Sequence, residues 1–268
     1  MRRIDIDFEE IEGVASRMAD AAANCILPLF RSNSLMLSNK DASGFDPVTE
    51  ADKAAERAMR DVLLASRPDD AILGEEYGAQ NGTSGLTWVL DPIDGTRGFI
   101  SGTPTWGVLI ALSDDQGPRY GMIAQPYIGE RFSGSAARAR FEGPHGSADL
   151  KTRDTQDLSQ AIIFTTYPEV GEASEGRAFH AVASQAKLTR YGMDCYAYAL
   201  LAAGQIDLVI EAGLQSYDIQ APIAVVQAAG GIVTAWDGGP AHNGGRAIAA
   251  ANEKIHAQAL DLLKAALS

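Results

Sequence analysis

Positive charge, cysteine and histidine are all scarce in this 268-residue chain. Lys and Arg total 22 against 35 Asp and Glu, a net charge of −13, and that balance disfavours a broad, sequence-independent grip on nucleic acid. The same field repels an anionic substrate, so a phosphate ligand needs its surroundings reversed in sign, most economically by divalent cations on clustered carboxylates. With only Cys25 and Cys195 there is no disulfide framework, and a reduced, cytoplasmic location is the simplest expectation. The four histidines, His145, His180, His242 and His256, show no metal-ligand spacing and are expected at the surface. Long apolar runs are missing too. The most apolar stretch, 221–236, is interrupted by Pro222, Gln227 and Gly230-Gly231 and reads as helix then strand, so no membrane association is expected. The first ten residues hold two arginines and then acidic side chains without an apolar signal-peptide core, so secretion is not expected. A P-loop, a nucleophile elbow and a Cys-x-x-Cys pair are likewise absent.

What is present is enough chain for a sizeable core in one large or two modest domains. Phe8, Ile11, Val14, Met18, Ala22, Cys25 and Leu29 recur at helical spacing behind Asp7 and Glu10, which predicts a long first helix ended or kinked near Pro28. After the short apolar run 35–37 and a loop containing Gly44 and Pro47, Thr49 is placed to cap a second helix through about Ser66, closed by Pro68. From 71 to about 141 short apolar runs alternate with Gly, Pro and Asp, with the clearest strands at 87–90, 105–113 and 119–125. A polar stretch, 143–157, suggests a boundary, giving an N-terminal α+β unit, 1–145, and a C-terminal α/β unit, 146–268. Beyond it, strands at 162–165, 206–211, 232–234 and 247–250 alternate with helical segments, so the class is mixed α/β.

Three acidic clusters sit where a strand gives way to a turn: Gly74-Glu75-Glu76, Asp91-Pro92-Ile93-Asp94-Gly95-Thr96, and Tyr217-Asp218. Pro92 restricts the backbone and Gly95 permits a tight turn, so Asp91 and Asp94 can converge on one point. Two converging carboxylates repel unless a hard cation lies between them, and Mg²⁺ is the expected ion beside a phosphate. The Ile93 carbonyl would face the same ion. Each cluster also has an ordinary reading: an acidic turn for Asp-Pro-x-Asp-Gly, a solvated pair for Glu75-Glu76, a helix N-cap for Asp218.

These motifs, in this order and followed by Ala221-Pro222 and Gly230-Gly231, resemble the inositol monophosphatase superfamily of metal-dependent sugar phosphatases over about residues 40–240. The resemblance implies a layered αβαβα fold, often dimeric, with two or three Mg²⁺ per site. By it, Glu75, Asp91 and the Ile93 carbonyl form a first metal site, Asp91, Asp94 and Asp218 a second, and a third would lean on Glu75. The amides of Gly95 and Thr96 would cradle the phosphate at a helix start. The Thr96 hydroxyl, with Asp46 as its partner, would help deprotonate the attacking water, and Lys40 stands where many members carry a lysine.

Specificity comes from whatever touches the alcohol. Asp194, in Gly192-Met193-Asp194-Cys195-Tyr196, replaces the small residue usual in inositol-type members, and Glu211 lies seven residues before Asp218, as a substrate-contacting glutamate does in the family. Two acidic acceptors favour a cationic alcohol. Together with Arg97, Gly192, Asp94 and Asp218 they make the expected substrate-binding set. The runs 96–102, 194–196 and 207–211 resemble the histidinol-phosphatase branch, which commonly has a serine at the place of Gly98. Histidinol phosphate, with an ammonium and an imidazole, is the preferred small phosphate monoester. Asp194 also reads as a helix N-cap, and Cys195, Tyr196 and Tyr198 as packing residues. The rivals are an inositol or general sugar phosphatase, a nucleotide phosphatase, and a non-catalytic interaction protein that kept the fold.

Overall fold

The computed structural model describes residues 6–32, 37–39 and 47–267. Helix α1 (Phe8–Ile26) starts at Asp7, whose carboxylate accepts the N–H groups of Glu9 and Glu10, and it buries a stripe from Ile11 to Ile26. Two short antiparallel strands follow, β1 (Leu37–Asn39) and β2 (Pro47–Thr49). Pro47, expected in a loop, therefore opens a strand, a position where a missing N–H is tolerated. Helix α2 (Glu50–Ser66) begins directly after Thr49, as expected, and packs along α1.

The chain then builds β3 (Ala71–Gly74), β4 (Gly78–Gln80), β5 (Thr87–Asp94), helix α3 (Thr96–Ser101), β6 (Gly107–Asp114), β7 (Gly117–Gln125), β8 (Glu130–Ser135), β9 (Ala139–Gly143) and β10 (Gly146–Asp149). These eight strands make one sheet in the order β10-β9-β8-β7-β6-β5-β3-β4, antiparallel except for the parallel pair β3 and β5. Strand β5 runs four residues further than the apolar stretch 87–90 suggests, and β6 starts at Gly107 rather than Thr105. The polar stretch after Gly143 first forms the exposed edge strand β10 before the chain leaves this sheet.

The remainder contributes β11 (Ile162–Thr165), α4 (Ala173–Ala183), β12 (Leu188–Tyr191), α5 (Asp194–Ala202), β13 (Leu208–Leu214), α6 (Ser216–Ala228), β14 (Ile232–Thr234), β15 (Gly245–Ala250) and α7 (Glu253–Leu267). Its five strands form a second sheet, β12-β11-β13-β15-β14. The edge strand β12 has no apolar alternation, which is why its sequence did not announce it.

Alternation along the strands sorts the core into layers. Trp88, Leu90, Val108 and Ile110 turn towards α1 and α2, while Val89, Leu109 and Ala111 turn the other way into a cluster with α5 and α6. Phe164, Val209, Ala247 and Ala249 of the second sheet close that cluster from the far side. Ile163, Leu208, Ile210 and Ile248 face α4 and α7. The result is the expected αβαβα sandwich, and both sheets are buried on two faces. Helix α6 lies very close to the first sheet: a Cβ on Gly121 of β7 would sit 2.4 Å from the Ala221 carbonyl oxygen. That approach carries the start of α6, and with it Asp218, to the ends of β3 and β5. His256 departs from the expected surface placement. It is buried on the inner face of α7 beside Ile255 and meets the Thr234 hydroxyl at 2.7 Å. Among the described residues, no helix is long and apolar enough to cross a membrane.

Candidate active site

Because β3 and β5 are parallel, their C-terminal ends open on the same side. Glu75 follows β3 and donates its N–H to the Leu90 carbonyl at 3.2 Å. Asp91 and Asp94 end β5. In a regular strand, residues three apart face opposite sides, but the register of β5 against β6 shifts between Asp91 and Asp94. Within that irregularity the Asp91 carboxylate accepts the Ile93 N–H at 3.1 Å. Both carboxylates thereby reach one place. Asp218 arrives from the first turn of α6, where its carboxylate accepts the Gln215 N–H at 2.7 Å. The N-cap is Gln215, and Asp218, three residues on, closes a capping box with it, so its carboxylate serves the helix start as well as the cavity. One oxygen from each of Asp91, Asp94 and Asp218 lies within 4.8 Å of the others.

The three line a cavity of about 330 Å³ together with Glu75, Ile93, Gly95, Thr96, Arg97, Asp194 and Glu211. Among the described residues, six carboxylates in that lining, Glu75, Asp91, Asp94, Asp194, Glu211 and Asp218, are set against one cation, Arg97. Burial, reinforced by Glu75, Asp94, Asp218 and Asp52, pushes the Asp91 carboxyl well above the usual range. Asp94 is raised by burial and then by Asp218 and Asp194, against the opposing Cys195 N–H, which donates to it at 2.7 Å. Asp218 is pushed up to about 6, first by burial. Hard oxygen donors that repel one another in a half-closed pocket fit a divalent cation such as Mg²⁺. Gly95 adopts a left-handed φ of 84° at the start of α3, and the Thr96 hydroxyl donates to the Ile93 carbonyl at 3.2 Å.

Helix α5 and strand β13 supply Asp194 and Glu211 to the same cavity. Asp194 is not an N-cap, since Met193 holds that position; instead its carboxylate accepts the Thr105 hydroxyl at 3.3 Å. Burial, opposed by that bond and by Arg97, lifts it to about 6. The Arg97 guanidinium lies 5.0 Å over the ring of Tyr167, which is 41% exposed at the cavity. Gly192 is not among the lining residues, and its N–H goes to the Thr165 and Thr166 carbonyls at 3.2 and 3.0 Å. Asp46 and Lys40 lie outside the described residues.

Glu211 is buried and held by Thr166 N–H at 2.7 Å, the Thr166 hydroxyl at 2.9 Å and the Thr165 hydroxyl at 3.2 Å. Burial still outweighs these bonds and moves its carboxyl from 4.5 to about 7. A raised carboxyl favours the protonated folded state, so its stabilisation is complete below about pH 4.5 and is lost as pH rises through 7. We expect the Glu211→Gln protein to lose about 3 kcal/mol less than wild type between roughly pH 5 and pH 8. Denaturant titrations at the two pH values measure this, and parallel declines would contradict it.

Several contributors carry no sequence motif. Glu56 of α2 reads as a surface charge, yet it is buried and accepts the N–H groups of Glu76 and Tyr77 at 2.6 and 3.3 Å, anchoring the turn that holds Glu75. Its one visible sign is Arg60, four residues on, which donates to it at 2.8 Å. Cys195 and Tyr198 are buried, as packing residues are, and also line the cavity.

The chain matches known proteins over nearly its whole length. It is 38% identical to the bifunctional phosphatase IMPL2, chloroplastic, of Arabidopsis thaliana, over 97% of this chain and 77% of that one. With the histidinol-phosphatase of Mycobacterium tuberculosis the identity is 31%, over 94% and 97%. An inositol monophosphatase from Zymomonas mobilis superposes with a TM-score of 0.84 at 38% identity, covering 97% of this chain and all of the other. The inositol monophosphatase family profile spans residues 7–268, the whole acidic lining of the cavity included, and the chain belongs to that family of metal-dependent phosphatases.

Proposed function

We propose that the protein is a Mg²⁺-dependent histidinol-phosphate phosphatase of histidine biosynthesis, acting in the cytoplasm as a homodimer and converting L-histidinol phosphate and water to L-histidinol and phosphate. The observation that carries this reading is the split of the acidic lining. Asp91, Asp94 and Asp218 form the cluster that fits metal, whereas Asp194 and Glu211, on α5 and β13, are not among those three and are held by hydroxyls of Thr105, Thr165 and Thr166. Two carboxylates left over beside the alcohol suit an ammonium and an imidazole better than a neutral polyol. Glu211 gains its charge as pH rises through about 7, so affinity for a cationic alcohol rises in the same window. The resemblance to a named histidinol-phosphatase supports the same substrate.

Glu75, Asp91, Asp94, Asp218 and the Ile93 carbonyl would hold two or three ions. Bound there, Mg²⁺ would supply positive charge to the phosphoryl oxygens and lower the pKa of a water, so that hydroxide is available as the nucleophile. The Gly95 and Thr96 amides orient the phosphate at the start of α3. The Thr96 hydroxyl, which donates to the Ile93 carbonyl, would pass its own proton to Asp46 as it accepts the proton of that water, and Glu75 lines the same cavity. Arg97, Asp194 and Glu211 orient the alcohol.

The inositol or sugar phosphatase reading draws on the Zymomonas mobilis neighbour, which is as similar as the plant relative. Turnover of histidinol phosphate, inositol 1-phosphate and glycerol phosphate with Mg²⁺, side by side, decides between them. We expect kcat/KM for histidinol phosphate to lead by at least about a hundredfold, the worth of one well-made charged contact. Preference for inositol 1-phosphate would replace the proposal.

A further inference from the structure

Asp194 holds an unusual backbone conformation. Its φ is 45°, in the left-handed region that few residues other than glycine adopt. Such a conformation persists where the surroundings impose it, and Asp adopts it more readily than most side chains. The side chain does not cap its own helix. It is wedged against α3: a Cβ on Gly95 would fall 2.8 Å from the Asp194 carboxyl carbon, and one on Gly98 would fall 3.3 Å from its Oδ2.

The space left at Gly98 is occupied by hydroxyls. A Cβ there would also stand 3.0 Å from Thr105 Oγ1 and 3.1 Å from Thr103 Oγ1. The hydroxyls of Ser101 and Thr103 both donate to the Gly98 carbonyl at 3.1 Å. Thr103 has thereby used its one proton and can only accept from Thr105, 3.4 Å away. Thr105 also has one proton. Its two acceptors are Thr103 Oγ1 and Asp194 Oδ2, at 3.4 and 3.3 Å, and the bond to the carboxylate is the stronger because it is charge-assisted. Arg97, the nearby cation, is exposed, so its hold on Asp194 is screened by water.

We propose that Thr105 is a positioning residue: its hydroxyl, admitted by the missing side chain at Gly98, holds the Asp194 carboxylate towards the alcohol and so sets the preference for a cationic one. The inference rests on the substrate reading above.

The test compares kcat/KM for histidinol phosphate with that for glycerol phosphate in Thr105→Val, Thr105→Ser, Gly98→Ala and Asp194→Ala, with Mg²⁺ present. Thr105→Val should lower the ratio of the two by about tenfold, the worth of one hydrogen bond to a charged group, through a higher KM for histidinol phosphate. Thr105→Ser should restore it. Gly98→Ala disturbs the same contact from the other side and should lower the ratio without removing the hydroxyl. Equal losses for both esters, or a loss confined to kcat, would mean that Thr105 serves only the fold and would overturn the inference. If Asp194→Ala moves the ratio and Thr105→Val does not, the inference alone fails. If neither moves it, the substrate reading has failed with it.

Discussion

Asp94→Asn should abolish phosphate release while leaving the fold intact and the metal-free protein more stable. The replacement keeps the volume and an oxygen that can accept the Cys195 N–H, now held at 2.7 Å, and removes one charge from a group that already lies among Asp91, Asp218 and Asp194. Burial and these neighbours raise the Asp94 carboxyl, so its ionised form opposes folding, increasingly as pH rises above the ordinary carboxylate range. Without Mg²⁺ the variant should therefore melt at or above the wild-type temperature at neutral pH. With Mg²⁺ the order reverses, because the wild type gains the binding free energy of the ions and the variant gains less. Hydrolysis should fall about a thousandfold, corresponding to about 4 kcal/mol of lost stabilisation where charge develops. Melting curves with and without Mg²⁺, and phosphate release from any turned-over ester, measure the two effects separately. A variant with full Mg²⁺ stabilisation and more than about a tenth of the activity would show that the acidic cluster is not the metal site.

Asp194→Ala carries the second large effect, and it concerns selectivity. Removing one partner of a desolvated charge contact typically costs about 2–5 kcal/mol. The ratio of kcat/KM for histidinol phosphate over glycerol phosphate should therefore fall by about a hundredfold. Asp194 is not one of the three carboxylates that meet within 4.8 Å, so the loss should fall on the cationic ester more than on the neutral one. Competition assays with both esters in one tube read the ratio directly. Equal decline on the two substrates would refute an ammonium or imidazole contact at Asp194 and leave the general sugar phosphatase as the better description.

Much of this architecture was legible in the chain because its signals are local. The α1 stripe, the Asp7 cap and the apolar runs of β5, β7 and β11 obey helical or strand periodicity without outside help. The acidic motifs were visible for the same reason, since Asp-Pro-Ile-Asp-Gly-Thr is contiguous. What failed was where tertiary packing overrides local preference. Pro47 opens a strand, β12 forms an edge without alternation, and His256 is buried because it shares α7's inner face with Ile255. Asp194 looks like a helix cap by residue type, yet it lies inside its helix and turns its carboxylate to Thr105, while Asp218 stands three residues past the cap and reaches back to it in a capping box.

By itself the sequence determined the fold class, the acidic motifs and the metal-dependent phosphatase family, because each is written in short stretches whose meaning does not depend on distant partners. Only the tertiary structure decided how Asp91 and Asp94 share a side through the register shift in β5, how α6 brings in Asp218, and which hydroxyl holds Asp194. Those depend on the close approach of segments up to about a hundred residues apart, and no local periodicity encodes a contact of that range.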